Sequence, residues 1–194
     1  MKNWVKELSR SLAAVLSLAV MVGLLYPAAV WVLGQGLFPA KANGSLVRRN
    51  GTILGSSLIG QNFAGPAYFH PRPSAAGQGY DAAGSGGSNL GPLSKKLADT
   101  IRRRLADYRA ENILDPQAPV PADAVTASAS GLDPHISLKN ALIQAARVAK
   151  ARGLSETAVR RLVMIHIQGR DLGLLGEPRV NVLMLNLALE GRSK

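Results

Sequence analysis

Residues 84–92 read Gly-Ser-Gly-Gly-Ser-Asn-Leu-Gly-Pro and lead into a basic segment. A glycine-rich turn before a helix is a place where backbone N–H groups can cradle phosphate. Gly86 and Gly91 have the five-residue separation of the two glycines of a phosphate loop. Such a loop continues with Lys, which reaches the phosphates, and Ser or Thr, whose hydroxyl reaches Mg²⁺. Here Pro92 and Leu93 follow, and proline removes one of the N–H donors. No clear strand precedes the stretch. The candidate site is therefore Ser85, Gly86, Gly87, Ser88, Asn89 and Gly91, with two readings. One is a nucleotide loop; the other, which the missing Lys-Ser/Thr favours, is a turn presenting backbone and the Asn89 side chain to another protein.

Other constellations are weaker. Ser128, Ser130, Asp133 and His135 crowd together and suggest a Ser-His-Asp site. That chemistry needs the imidazole on the hydroxyl, which closeness in sequence rarely supplies, and no G-x-S-x-G elbow is present. Asp133-Pro134 reads better as a turn and Ser137 as a helix cap. Asp123, Asp133 and Glu177 are a conceivable carboxylate set that nothing in the spacing singles out. Arg72 sits on a stiff stretch between Pro71 and Pro73, suited to a buried ion pair. His166 falls on an apolar stripe, as a core or rim histidine does. Ala149, Gly153, Val159 and Leu162, with Arg160 and Arg161, have the spacing of a DNA-reading helix-turn-helix, but helical hairpins with a glycine turn are common structural units. With no cysteine, disulfides, thiolate metal sites and cysteine nucleophiles are excluded, and three histidines do not suggest an imidazole-rich centre.

Several elements must position these groups. Asn50-Gly51 lies between two β-prone runs and predicts a hairpin with a type I′ turn. Residues 62–92 are punctuated by Gly and Pro, so no regular element fits, yet Phe63, Tyr68, Phe69 and Tyr80 offer anchors. A stretch this long without regular structure is often functional. Residues 93–110 predict a helix with Leu93, Leu97, Ile101, Leu105 and Tyr108 on one stripe; Lys95, Lys96, Arg102 and Arg103 lie mostly off it. A second irregular stretch, 115–137, precedes a helix over 138–152 capped by Ser137 and ended by Gly153. Its stripe is Leu138, Ala141, Leu142, Ala145, Val148 and Ala149. Ser155 caps a further helix over 156–168. In the tail, Leu183, Leu185, Leu187 and Leu189 alternate as in a strand, whereas Asn181 as a cap would give a helix burying Val182, Leu185 and Leu189; the helix is preferred.

The first forty residues set the compartment. Ser11 to Leu33 is a run of 23 residues without a charge, and a membrane-spanning helix needs about 20. Pro27 would kink it, which spanning helices tolerate, and Tyr26 and Trp31 suit an interface. A cleaved signal peptide is the alternative: Lys2, Lys6 and Arg10 precede the run and Ala40-Lys41-Ala42 resembles a cleavage site. Signal h-regions, however, span only about 7–15 residues. The basic residues on the two sides tie, Lys2, Lys6 and Arg10 against Lys41, Arg48 and Arg49. Because long following domains translocate regardless of charge, the reading is a cytoplasmic tail (1–10), a transmembrane helix (11–33), a linker (34–44) and a periplasmic domain (45–194). The fold class is α+β: one transmembrane helix, then a single small extracytoplasmic domain with a β-hairpin, long Gly/Pro-rich loops and several helices. The net charge of +11 favours acidic partners, but an exported domain meets no nucleic acid.

Blocks in order after the span carry a family resemblance: GSSLIGQNF (55–63), YFHPRPSA (68–75), SGGSNLGP (85–92), VTASASGLDPHIS (125–137), ARVAKARGL (146–154) and GEPRVNVLMLNLAL (176–189). Together they resemble the KdpC family, the single-span subunit of the bacterial Kdp potassium-pumping P-type ATPase. The resemblance covers nearly the whole chain. It implies a non-catalytic accessory subunit in the cell inner membrane that assembles with a channel-like potassium-translocating subunit, an ATP-hydrolysing subunit, a small membrane peptide and the lipid bilayer. It further implies a periplasmic domain above the potassium entrance, and a chaperone-like role in ATP binding by the catalytic subunit; a periplasmic domain and contact with cytoplasmic ATP conflict. No cofactor is then expected to bind tightly, and ATP would come only through the partner, with Ser85 to Gly91 as the nucleotide stretch if this chain took part. Ala129 stands where the family usually has Gly, and Leu93-Ser94 where Thr-Asn is usual. The aspartyl-phosphate motif Asp-Lys-Thr-Gly is absent, so this chain is expected to have no ATPase chemistry of its own. Basic charge beside a cation entrance repels K⁺, so Lys and Arg are expected on faces turned from the pore or paired with acidic loops.

Overall fold

A computed structural model describes residues 2–191. Met1 and residues 192–194, the outer ends of the expected tail and domain, lie outside the described residues. The chain divides into two units, Met1–Ile53 and Leu54–Lys194.

The first unit is dominated by one long helix. Helix α1 (Lys2–Val20) runs into a π-helical turn (Met21–Leu25) and on into α2 (Tyr26–Leu37). Pro27 explains the π turn. Proline cannot donate to the carbonyl four residues back, and its ring would crowd it. The Tyr26 N–H instead reaches the Met21 carbonyl, five residues back, which absorbs one extra residue per turn and lets the helix continue. The expected kink at Pro27 thus takes the form of a register change just before it. The apolar stretch Asn3–Leu37 spans 35 residues, none of it buried within the protein. At ~1.5 Å per residue that is about 52 Å, longer than a hydrocarbon core of about 30 Å. The expected linker starts as the end of α2 and continues in the single turn α3 (Pro39–Ala42).

Strands β1 (Leu46–Arg49) and β2 (Thr52–Ser56) form the expected hairpin. Asn50 and Gly51 both take positive φ, 51° and 80°, as a type I′ turn requires.

The second unit is built around α6 (Leu138–Arg152). Before it stand α4 (Lys95–Glu111), the short α5 (Ala122–Val125) and β3 (His135–Ser137); after it come α7 (Glu156–Ile165), β4 (Ile167–Gln168), β5 (Arg179–Asn181) and α8 (Val182–Glu190). Helices α4, α6, α7 and α8 are N-capped by Ser94, Ser137, Ser155 and Asn181, each side chain accepting a backbone N–H from the first turn. Gly153 ends α6 at φ 65°. The chain after Ile165 leaves the helix expected to reach 168, since Ile167 and Gln168 pair with Val180 and Arg179. β5 is the centre of a three-stranded antiparallel sheet in the order β3-β5-β4, with Ile136 opposite Val180. The core lies under this sheet: Ala141, Ala145 and Val148 of α6, Val159, Leu162 and Val163 of α7, and Val182, Leu185 and Leu189 of α8. The tail is therefore a helix, entered through a three-residue strand. Leu93, expected on the apolar stripe of α4, lies before the cap and is 99% exposed.

The long irregular stretch packs as part of this core. Phe69 is fully buried, and its backbone is held on both sides by one amide. Its N–H donates to Asn186 Oδ1 (2.8 Å), and Asn186 Nδ2 donates to its carbonyl (2.9 Å). Gln144 does the same for the next residue, accepting from His70 N–H (2.7 Å) and donating to His70 O (3.1 Å). Two side chains thus replace the strand neighbour that this extended segment lacks. Asn186→Leu keeps the apolar volume but strands two buried backbone groups, at about 1–3 kcal/mol each. The expected outcome is a loss of about 2–5 kcal/mol in folding free energy, read from chemical unfolding of the detergent-solubilised chain.

Candidate functional site

Ser74 is the hub that brings the two loop motifs together. Its hydroxyl donates to Gly131 O (2.7 Å) and accepts the N–H groups of Ala76 (3.1 Å) and Tyr80 (2.8 Å). Tyr80 in turn donates its phenol to Arg72 O (2.7 Å). Burial, with the nearby Asp133 carboxylate adding to it and Arg72 opposing, raises the Tyr80 pKa well above the ordinary phenol range. The ring therefore stays a neutral donor. Gly131 is required at the junction: its φ is 67°, and a Cβ there would lie 2.7 Å from Ala76 N and 2.8 Å from Gly86 O.

The Ser85–Gly91 turn is laid along this junction. Gly86 N–H donates to Ser130 O (2.9 Å), and Ser85 Oγ reaches the same carbonyl (3.0 Å). Gly87 lies so close to the Ala129 backbone that a Cβ would sit 3.0 Å from Ala129 O. It is the carbonyl and Cα of Ala129 that meet the turn, so the residue usually glycine at that position stands here as an exposed alanine. Ser88, Asn89 and Gly91 face outward, with Asn89 at φ 51°. The six candidate residues therefore split. Ser85, Gly86 and Gly87 are engaged with residues 129–130, while Ser88, Asn89 and Gly91 are presented to the outside.

Below the junction lies a charged node. Arg72 Nη1 bonds Asp133 Oδ2 at 3.0 Å; the ion pair expected from the Pro-Arg-Pro stretch forms, but half-buried rather than buried. Asp133 Oδ1 accepts the His135 N–H (3.0 Å) and lies 3.3 Å from His135 Nδ1. Burial alone would raise the Asp133 carboxyl, but the side-chain and backbone hydrogen bonds from His135 and the charge of Arg72 outweigh it and hold its pKa below the usual range. His135 Nε2 faces Gln168 Oε1 at 3.1 Å. Both imidazole nitrogens are therefore engaged, and neither meets Ser128 or Ser130; Ser130 Oγ accepts Leu132 N–H. The histidine and aspartate of the conceivable triad come together, and the serine does not join them.

The three carboxylates share one open depression of about 500 Å³, with Arg72 and Arg179 on its walls. Each is committed elsewhere. Asp123 accepts Ser137 N–H (2.7 Å), Ser137 Oγ (2.9 Å) and Asn140 Nδ2 (3.0 Å). Glu177 takes both oxygens to Arg170. Among the described residues no group of three His, Cys, Asp or Glu side chains could hold a metal ion. His166 Nδ1 lies 2.9 Å from Leu162 O at the end of α7, a rim position. Of the helix-turn-helix residues, Ala149, Val159 and Leu162 are core, and Arg160 pairs with Glu156 at 2.6 Å.

Sequence reasoning missed the inward-facing polar residues of α6. Arg147, its side chain 6% exposed, donates to Pro66 O (2.8 Å), Tyr68 O (3.0 Å), Asn112 Oδ1 (3.1 Å) and Gln144 Oε1 (2.8 Å). Burial lowers its pKa, against the pull of Glu111 and Tyr108. Asn140 Oδ1 accepts from Tyr108 Oη (2.8 Å) and Gln144 Nε2 (2.9 Å). One signal was available: Gln144 interrupts the apolar repeat between Ala141 and Val148, and Asn186 interrupts a run of leucines.

The family described as KdpC, K⁺-transporting ATPase c chain, matches residues 8–191. A potassium-transporting ATPase KdpC subunit of Koribacter versatilis (strain Ellin345) is 51% identical over 189 residues, 96% of this chain and 95% of the relative. The corresponding subunit of Nitratidesulfovibrio vulgaris is 57% identical over 182 residues, 93% and 92% of the two chains. That of Myxococcus xanthus is 58% identical over 174 residues, 89% and 82%. This chain belongs to the KdpC family.

The node makes stability depend on acid. The folded Asp133 carboxyl has a pKa below its unfolded value, so its contribution is complete above that unfolded value and is lost as pH falls through the folded one. Asp133→Asn is expected to cost about 1–3 kcal/mol at neutral pH. The gap to the wild type should close as pH drops below the ordinary aspartate value of 3.8. Chemical unfolding of both proteins across that range checks it.

Proposed function

We propose that this member of the KdpC family is a non-catalytic accessory subunit. On this reading α1 and α2 anchor it in the inner membrane, and the domain after the hairpin is held on the periplasmic side. There it stabilises the assembled K⁺-transporting ATPase. Its partners are a channel-like potassium-translocating subunit, an ATP-hydrolysing subunit and a small membrane peptide. The observation that carries the reading is the state of the loop motifs. Their polar groups are spent on one another, from Ser74 to Gly131 and from Gly86 to Ser130, which leaves a rigid irregular face rather than an open set of reactive groups. Rigid faces suit recognition, because the entropy of ordering them is already spent on folding.

The same geometry weighs against the nucleotide reading of Ser85–Gly91. The Gly86 N–H that a phosphate would use is bonded to Ser130 O, and Pro92 has no N–H to give. Any effect on ATP affinity of the catalytic subunit then travels through subunit contacts and not through nucleotide held on this loop.

The chain contains no cysteine, so single cysteines report location cleanly. In intact cells, a membrane-impermeant maleimide is expected to label Leu93→Cys, whose site is fully exposed. It should label Asn3→Cys only after permeabilisation. The reverse pattern overturns the periplasmic placement and returns the loop to the side where ATP is found.

A further inference from the structure

Helix α4 carries Arg104, Asp107, Tyr108 and Glu111 at helical spacing, which places all four on one face. That face forms one wall of an open cavity of about 370 Å³. The other walls are the stretch from His70 to Ser74 and the turn from Gln78 to Tyr80. Small-molecule sites commonly have volumes of about 300–1,000 Å³.

Most polar groups around the cavity are satisfied by the protein itself. Tyr108 Oη donates to Asn140 Oδ1, Tyr80 Oη donates to Arg72 O, and Glu111 Oε1 lies 2.9 Å from His70 Nδ1. Three charged side chains keep unmet capacity. Arg72 gives Nη1 to Asp133, but its Nε is buried without an acceptor among the described residues, and a buried donor is costly to leave unmet. Arg104 gives Nη1 to Val125 O at 3.1 Å and no other guanidinium hydrogen to any described residue. Burial, with Arg103 adding to it, lowers the Arg104 pKa, a cost that an anion beside it would offset. Asp107 makes no hydrogen bond or ion pair among the described residues. The same helix shows what such spacings ordinarily do. Asp99 pairs with Lys95 at 2.7 Å and with Arg102 at 2.8 Å. Asp107 has Arg103 four positions and Arg104 three positions before it, and pairs with neither.

Charge sorts the candidates for this cavity. Phosphate or another simple anion would meet the two guanidinium groups but also the carboxylates of Asp107 and Glu111. A simple cation would meet Asp107 and be repelled by Arg72 and Arg104. A molecule bearing both charges suits both sides, its carboxylate taking charge-assisted hydrogen bonds from guanidinium and its ammonium giving them to Asp107.

We propose that this cavity binds a small zwitterion of the amino-acid class, with its carboxylate toward Arg72 and Arg104 and its ammonium toward Asp107. The site lies within the second unit, and it does not rest on the accessory-subunit reading, because the test reads binding to this chain alone.

The test is calorimetric titration of the detergent-solubilised full-length chain. Each standard amino acid is added in turn, with acetate, inorganic phosphate and methylammonium as probes of a single charge. At least one amino acid is expected to bind and to raise the thermal midpoint, and the single-charge probes to bind at least about tenfold more weakly. Asp107→Asn should leave the unliganded midpoint unchanged, since that carboxylate holds nothing in place, and weaken the same amino acid about tenfold, the effect of one lost charge-assisted contact. Arg104→Gln should weaken it similarly; its unliganded midpoint reports the cost of losing the bond to Val125, and where that cost is large Asp107→Asn decides. Binding of no amino acid overturns the proposal. So does full affinity in Asp107→Asn, or equal affinity for acetate or phosphate, which would make the cavity an anion site only.

Discussion

Backbone without regular structure must still find partners for its N–H and C=O groups when it is buried. In this protein that constraint governs the second unit. The stretch from Ser57 to Leu93 contains no helix or strand, yet it carries Phe69 into the core. Asn186 and Gln144 solve the problem by each clasping both polar groups of one residue, as a neighbouring strand would. The loop residues that follow are placed by that clasp. Once Phe69 and His70 are fixed, Pro71-Arg72-Pro73 can point its arginine at Asp133, and Ser74 can join Gly131 to Tyr80.

Part of the basic composition serves the same constraint. A basic chain invites an electrostatic reading, with nucleic acid or anionic lipid as the partner. Yet Arg104, Arg109, Arg147 and Arg152 all direct guanidinium hydrogens at backbone carbonyls of loops: Val125, Ala118, Pro66 and Tyr68, and Ala67. Arg152 also lies over the Tyr68 ring at 5.0 Å. The guanidinium suits this work because it presents five donors in a planar fork and remains charged when partly buried. Four of the 23 Lys and Arg side chains are therefore engaged in stapling loops.

The charged groups of the second unit follow the same economy. The three carboxylates that share one depression are each bound to a structural partner, and the Asp133–His135 pair holds β3 in register against β5 and Gln168.

Much was legible along the chain because it is local. The uncharged run, the Asn50-Gly51 turn, the serine caps and the α6 and α7 stripes each depend on residues within a few positions of one another, and sequence order preserves those relations. The Pro27 register change was half legible: proline announces a disturbance, and only the helix geometry chooses a π turn over a kink. The short sheet was not, because strands of two and three residues carry no periodicity and exist through pairing with residues from 11 to 46 positions away. The polar side of α6 went unread for a related reason. Asn140, Gln144 and Arg147 look like a solvated helix face until the loop from Gly65 to His70 is laid over them, and a contact about seventy-five residues away in sequence leaves no mark on the local pattern. Sequence thus determined the long apolar N-terminal helix and the helices of the second unit. Tertiary structure decided which polar residues became the interior fasteners of the loops, since hydrogen-bond partners are chosen by proximity in space.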